Sequence, residues 1–249
     1  MATATGFSVS NQGIGGQDAQ HISARANGYT TLVTVAGNEI PTSGTVSVTT
    51  ISPALLTTPA TTASRTRTGW LMGVHGTLAK DTNNAYTFTR TTAGDAVAVY
   101  PGSVFTLELA PLADRIAVIW AGTNDSLANS DEYQSCIDYV QNVIDAIPSL
   151  EKRYLVLPPF KSASFTVGTD THTQLLAYHT LLKRKYKDRY VPVFEKLVAS
   201  YNPSIPQDVT DSANGVIPSS LRTDSVHLND AGYLIVAETV KLQLDRLGW

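Results

Sequence analysis

The spacing of apolar positions divides the chain into two textures. From Asp114 onward, continuous apolar runs alternate with stretches of helical period. RIAVIWAG (Arg115–Gly122), RYLVLPPF (Arg153–Phe160) and VPVFE (Val191–Glu195) read as strands buried on both faces of a parallel sheet. Between and after them lie helical patterns. Tyr133, Cys136, Ile137, Val140, Ile144 and Ile147 follow i, i+3, i+4, i+7 spacing, Thr173–Lys187 reads as a second helix, and Ala231–Leu247 places Leu234, Ile235, Ala237, Val240 and Leu244 on one face. Strands alternating with helices predict an α/β fold with a parallel sheet covered on both sides.

Residues 28–110 have another rhythm. Short alternating runs rich in Thr, Val, Gly and Ser (TTLVTV, GTVSVTTI, AYTFTRT, DAVAVY, SVFTLEL) are separated by turn signals such as Gly37-Asn38 and Asp81-Thr82-Asn83-Asn84. No helical period occurs there. The region reads as a small all-β domain inserted into an α/β domain formed by residues 1–27 and 111–249. The insertion is inferred because the preceding piece is also α/β-like: Phe7–Asn11 as a strand, Gly13–Gly16 as a tight loop, Asp18–Ala26 as a short helix. The spacing of that glycine loop matches neither the dinucleotide fingerprint nor the P-loop.

Composition narrows the function classes. The 249 residues are 43% hydrophobic and 16% charged, with a formal net charge of −3, so nothing at whole-chain level draws the protein to nucleic acid or an anionic membrane. The densest basic stretch, KRKYKDRY at Lys183–Tyr190, reads as a solvated helix end. No apolar run is long enough for a transmembrane helix, and the N-terminal residues lack the pattern of a signal peptide. Cys136 lies in phase with an apolar helix face and reads as a small core residue rather than a nucleophile.

Three stretches carry the chemistry: NQGIGGQ (Asn11–Gln17), AGTND (Ala121–Asp125) and DSVH (Asp224–His227). Each follows a predicted strand or leads into a predicted helix, the side of an open α/β sheet on which sites form. His227 suits a general base, with Asp224 accepting its other ring N–H and fixing the tautomer. The Gly16 backbone N–H and the Asn124 amide suit an oxyanion hole, and glycine at 16 lets substrate approach the backbone. Competing structural roles exist: Asp224 capping a turn, Asn124-Asp125 capping the next helix. His21, His75, His172 and His179 have no metal-ligand spacing, and His172 and His179 read as surface or boundary residues.

In these residues the chain resembles the SGNH (GDSL-type) hydrolases. Gly16 within GIGGQ matches that family's second block, Gly122-Thr123-Asn124-Asp125 its third, and Asp224-Ser225-Val226-His227 its fifth, in the family's order. The resemblance covers residues 1–27 and 114–249. It implies a flavodoxin-like parallel sheet flanked by helices and a serine esterase acting on small esters or acetylated glycans. It also implies Gly16 and Asn124 in the oxyanion hole, Asp224 and His227 in the triad, and no metal or organic cofactor.

The family's first block, Gly-Asp-Ser-Leu/Ile, is absent from the 249 residues; Gly94-Asp95 is followed by Ala96, and Ser8 and Ser10 precede the second block on its strand. The expectation is that the nucleophile, with a first strand and helix, lies upstream of Met1 or on a second chain. The alternative is a degenerate hydrolase that binds glycan or serves a structural role in a phage tail or cell surface. Trp70, Tyr86 and Phe88 are candidates for a sugar-stacking surface in the β region.

Overall fold

The structure is a computed structural model that describes residues 6–58 and 62–249. By internal contacts the chain forms two units. One comprises Gly13–Arg115 and Asp138–Lys152; the other comprises the described part of Met1–Gln12 with Ile116–Ile137 and Arg153–Trp249.

The first unit begins with a short helix, α1 (Ala19–Ala24), capped by Asp18. Eight strands follow: β1 (Thr31–Val35), β2 (Glu39–Ile40), β3 (Thr45–Ser52), β4 (Arg65–Leu71), β5 (Val74–Lys80), β6 (Tyr86–Arg90), β7 (Val97–Ala98) and β8 (Ser103–Leu107). Six of them close into an antiparallel barrel in the order β1-β3-β6-β5-β4-β8, while β2 and β7 pair separately. Closure pairs each barrel strand on both sides, so none of the six is left as a sheet edge. The alternation that predicted strands has a physical outcome here: Val33, Val35, Leu71, Leu78, Phe88, Phe105 and Leu107 point inward and form one apolar core. Two paired glycines, Gly69 and Gly76, make room for it. A Cβ at Gly76 would stand 2.4 Å from the Phe88 ring, and one at Gly69 would stand 2.3 Å from the Thr106 carbonyl oxygen.

The second unit holds β9 (Ala117–Trp120) and β10 (Tyr154–Leu157). Helix α2 (Ser130–Asp145) runs from this unit into the first, and α3 (Asp170–Tyr186), α4 (Val193–Ala199), α5 (Pro206–Ala213) and α6 (Asp230–Arg246) complete it. Strands β9 and β10 pair in parallel, Tyr154 with Ala117 through Leu157 with Trp120. Leu155, Val156, Leu157, Tyr178, Leu182, Val191, Leu197 and Val240 are buried in this unit. Cys136 is core as expected, and its sulfur accepts a hydrogen bond from the Tyr178 hydroxyl at 2.9 Å.

The expected flavodoxin-like parallel sheet is not what forms. Among the described residues the parallel sheet has two strands, and the dominant sheet is the antiparallel barrel. Two segments read as further parallel strands fail for identifiable reasons. In VPVFE, Pro192 has no N–H to give to a ladder, and the chain turns into α4 at Val193, leaving one bridge between Val156 and Tyr190. Phe7–Asn11 makes no ladder, and Phe7 and Val9 stand about half exposed. No helix among the described residues is long and apolar enough to cross a membrane.

Candidate functional site

The DSVH loop is a tight, tied-down turn. Asp224 Oδ1 accepts the backbone N–H groups of Val226 and His227, both at 2.7 Å, and its Oδ2 meets His227 Nδ1 at 2.7 Å. The Thr223 N–H donates to the His227 carbonyl at 2.8 Å, and a bridge between Arg222 and Leu228 closes the loop. Below it, the Arg222 guanidinium pairs with buried Asp211 at 2.8 Å and donates to the Ile217 carbonyl. Asn229 then caps α6 through the Gly232 N–H. Asp224 thus closes the turn and contacts the imidazole at the same time. Because Nδ1 is committed to the carboxylate, the neutral ring carries its lone pair on Nε2, and the side chain is 72% exposed, so that atom faces solvent. The His227 N–H, then the Val226 N–H, then the imidazole lower the Asp224 carboxyl to about 2.

The GTND loop leaves the end of β9. Gly122 adopts φ +112°, and a Cβ there would stand 2.8 Å from Pro159, so no other residue fits the turn. Asn124 is exposed just beyond it. Helix α2 is capped by Asn129, which accepts the Asp131 and Glu132 N–H groups while Glu132 reaches back to the Ala128 N–H. The capping role considered for Asn124-Asp125 thus belongs to another residue.

Lys161 escaped the sequence reading. Its ammonium donates to the carbonyls of Gly122 (2.7 Å), Thr123 (2.8 Å) and Asp125, and burial holds its pKa below the ordinary lysine value. Two residues on, the Ala163 N–H donates to the Ser225 carbonyl at 2.8 Å. One short segment therefore ties the loop carrying Asn124 to the loop carrying Asp224 and His227. A lysine following Pro158-Pro159-Phe160 carries no motif, and its partners lie 36 to 39 residues away.

Gly16 lies in the barrel-bearing unit, in the loop before α1. It adopts φ +80°, which favours glycine independently of any substrate. Gln17 anchors the loop by donating to the carbonyls of Leu55 and Thr57, and Thr58 donates to the Gly15 carbonyl at 2.6 Å. The same unit repeats the Asp-x-x-His geometry: Asp18 Oδ1 accepts the His21 N–H at 3.0 Å and meets its Nδ1 at 2.7 Å, at the cap of α1. The spacing by itself is thus satisfied by an ordinary helix cap.

Two other expectations change. Tyr86 and Phe88 are buried in the barrel core and cannot stack on sugar, whereas Trp70 is 39% exposed beside His75. His172 and His179 are buried rather than at the surface. His179 donates from Nε2 to the Pro159 carbonyl, and burial lowers it to about 4, so it stays neutral.

With this geometry in view, two comparisons bear on the chain. The family model described as GDSL-like lipase/acylhydrolase matches residues 3–240. The tail spike protein of Salmonella phage epsilon15 is 28% identical over 248 residues, which cover 89% of this chain and 22% of that protein. The chain thus spans about a fifth of the length of that relative.

Proposed function

Because the chain belongs to the GDSL-like lipase/acylhydrolase family, we propose that it is the core of a serine ester hydrolase, a carboxylesterase or carbohydrate O-deacetylase. The observation that carries this reading is the bond from His227 Nδ1 to Asp224 Oδ2, with Nε2 open to solvent. In the proposed reaction Nε2 takes the proton from a serine hydroxyl as its oxygen attacks the ester carbonyl. The proton then passes to the leaving alkoxide, and water repeats the cycle on the acyl-enzyme. The Asn124 amide is assigned to the oxyanion. Lys161 is a positioning residue that fixes the loop on which Asn124 stands. The serine is assigned to chain outside residues 1–249, since Gly-Asp-Ser occurs nowhere within them.

The test is His227→Ala in the full-length protein, assayed on 4-nitrophenyl acetate and on acetylated glycans. Turnover should fall by about 10³-fold or more with the circular dichroism spectrum unchanged. A variant that keeps its turnover removes His227 from the triad.

The tail spike relative favours a second reading, a glycan-binding or structural module without turnover. It predicts saturable glycan binding by a chain that hydrolyses no ester even when the upstream serine segment is present.

A further inference from the structure

We propose that the cleft between Gly13–Ile14 and Ser64–Arg67 is a binding site for the carboxylate of an acidic sugar, held by the paired guanidiniums of Arg65 and Arg67. The cleft measures about 430 Å³, room for a monosaccharide unit, and its lining contains no acidic residue.

The argument starts from strand alternation. Arg65, Arg67, Gly69 and Leu71 share one face of β4, and that face is the inside of the barrel: Leu71 is fully buried, and Gly69 lies against the Phe105 ring. The two arginines thus continue the inward face toward one mouth, roughly 7 Å apart along the strand. On β5 the residue opposite Arg65 is Lys80, also inward and 1% exposed, with its ammonium on the Asn84 side-chain oxygen at 2.8 Å. Like charges facing each other across a ladder are unfavourable. Arg25 adds a further cation, its Nε donating to Gln17 Oε1 at 2.6 Å; burial, then the fields of Arg67 and Arg65, lower it to about 10.

Neither Arg65 nor Arg67 has a carboxylate within ion-pair distance among the described residues. Arg65 donates to the Ala63 carbonyl at 3.3 Å and Arg67 to the Thr66 carbonyl at 2.9 Å, leaving most of each fork unused. Two other half-buried arginines are treated differently. Arg222 has Asp211, and Arg90 donates to the carbonyls of Thr92, Pro41, Gly94 and Asp95. Half-buried like charges are costly unless an anion completes them. Two forked guanidiniums fit a planar carboxylate. The loop forming one wall ends on Gly16. The corollary that the substrate is an ester of an acidic glycan rests on the esterase reading above; the cleft itself does not.

The experiment is calorimetric titration of the full chain with glucuronate, glucose and inorganic phosphate at low and high salt. Glucuronate should bind saturably and weaken as salt rises, and glucose should not bind. Arg67→Gln should weaken glucuronate by about tenfold. In anion-free buffer that variant should melt no lower than the parent, because a like-charge contact is relieved, which separates loss of binding from loss of fold. Binding of glucose equal to that of glucuronate, an unchanged isotherm in Arg67→Gln, or preference for phosphate overturns the proposal. Acetylated methyl glucuronide and methyl glucoside then separate the two readings. Glucuronate binding without turnover of either ester sinks the esterase and leaves the cleft, whereas equal turnover of both without glucuronate binding sinks the cleft alone.

Discussion

His227 can act as a base through Nε2 only while Nδ1 holds its proton, and Asp224 decides that. Asp224→Asn keeps an oxygen for the two backbone N–H groups, so the turn survives, but its NH₂ can face Nδ1 and reverse the tautomer. The expected result is a fall in kcat of about 10³ to 10⁴-fold with little change in fold. The pH dependence follows from the same bonds. The Asp224 carboxyl is lowered from 3.8 to about 2, so its contribution to the loop is complete above the unfolded value and is lost as pH falls through about 2. No carboxylate limb of kcat/KM is therefore expected between about pH 5 and pH 3. A carboxylate limb in that window would show that Asp224 is not held as described. The Asp18–His21 pair supplies the contrast: the same spacing and the same 2.7 Å contact serve a helix cap. What separates the two pairs is the exposure of the ring, 23% for His21 against 72% for His227, which sequence does not display.

At the level of elements, Lys161 gives the sharpest expectation. Lys161→Met keeps the length and apolar stem of the side chain but leaves three loop carbonyls without their ammonium. If Asn124 stabilises the oxyanion, kcat should drop by about 10- to 100-fold while KM moves little, because a misplaced donor acts in the transition state. A rise in KM alone would assign the clamp to ground-state binding or to stability. Sequence reading succeeded where the signal was periodic and local. The Cys136 and C-terminal helices were legible because a sustained 3.6-residue repeat does not arise in a strand or a loop, and they form at Ser130–Asp145 and Asp230–Arg246. In the second the face differs from the expected one, since Leu234 is exposed while Val236 is buried with Ala237, Val240 and Leu244. It failed where a run was short. VPVFE satisfies a buried strand and a helical turn equally, and only the packing around Val193, Phe194 and Leu197 selects the helix. Alternation likewise grouped Tyr86 with Phe88 without revealing that their face points into the barrel while Trp70 points out. The Lys161 clamp was illegible because it exists only in three dimensions.

For the whole molecule, the open chemical question is the origin of the nucleophile. In the proposed reaction His227 is the base and Asp224 orients it, while Gly-Asp-Ser does not occur within residues 1–249. A serine acquires esterase reactivity only when a base is within hydrogen-bond reach, and such activated serines react with fluorophosphonates whereas ordinary surface hydroxyls do not. Residues 1–249 alone should therefore be neither labelled by a fluorophosphonate nor active on 4-nitrophenyl acetate. A chain extended upstream through a Gly-Asp-Ser segment should be labelled at that serine, and His227→Ala should abolish the labelling. The readouts are the mass of the labelled peptide and the rate of ester cleavage. Labelling of a serine within residues 1–249 would place the nucleophile inside this chain and overturn its assignment upstream. An extended chain that folds, binds glycan saturably and is neither labelled nor active would make the module a binder that retains the hydrolase dyad without its chemistry.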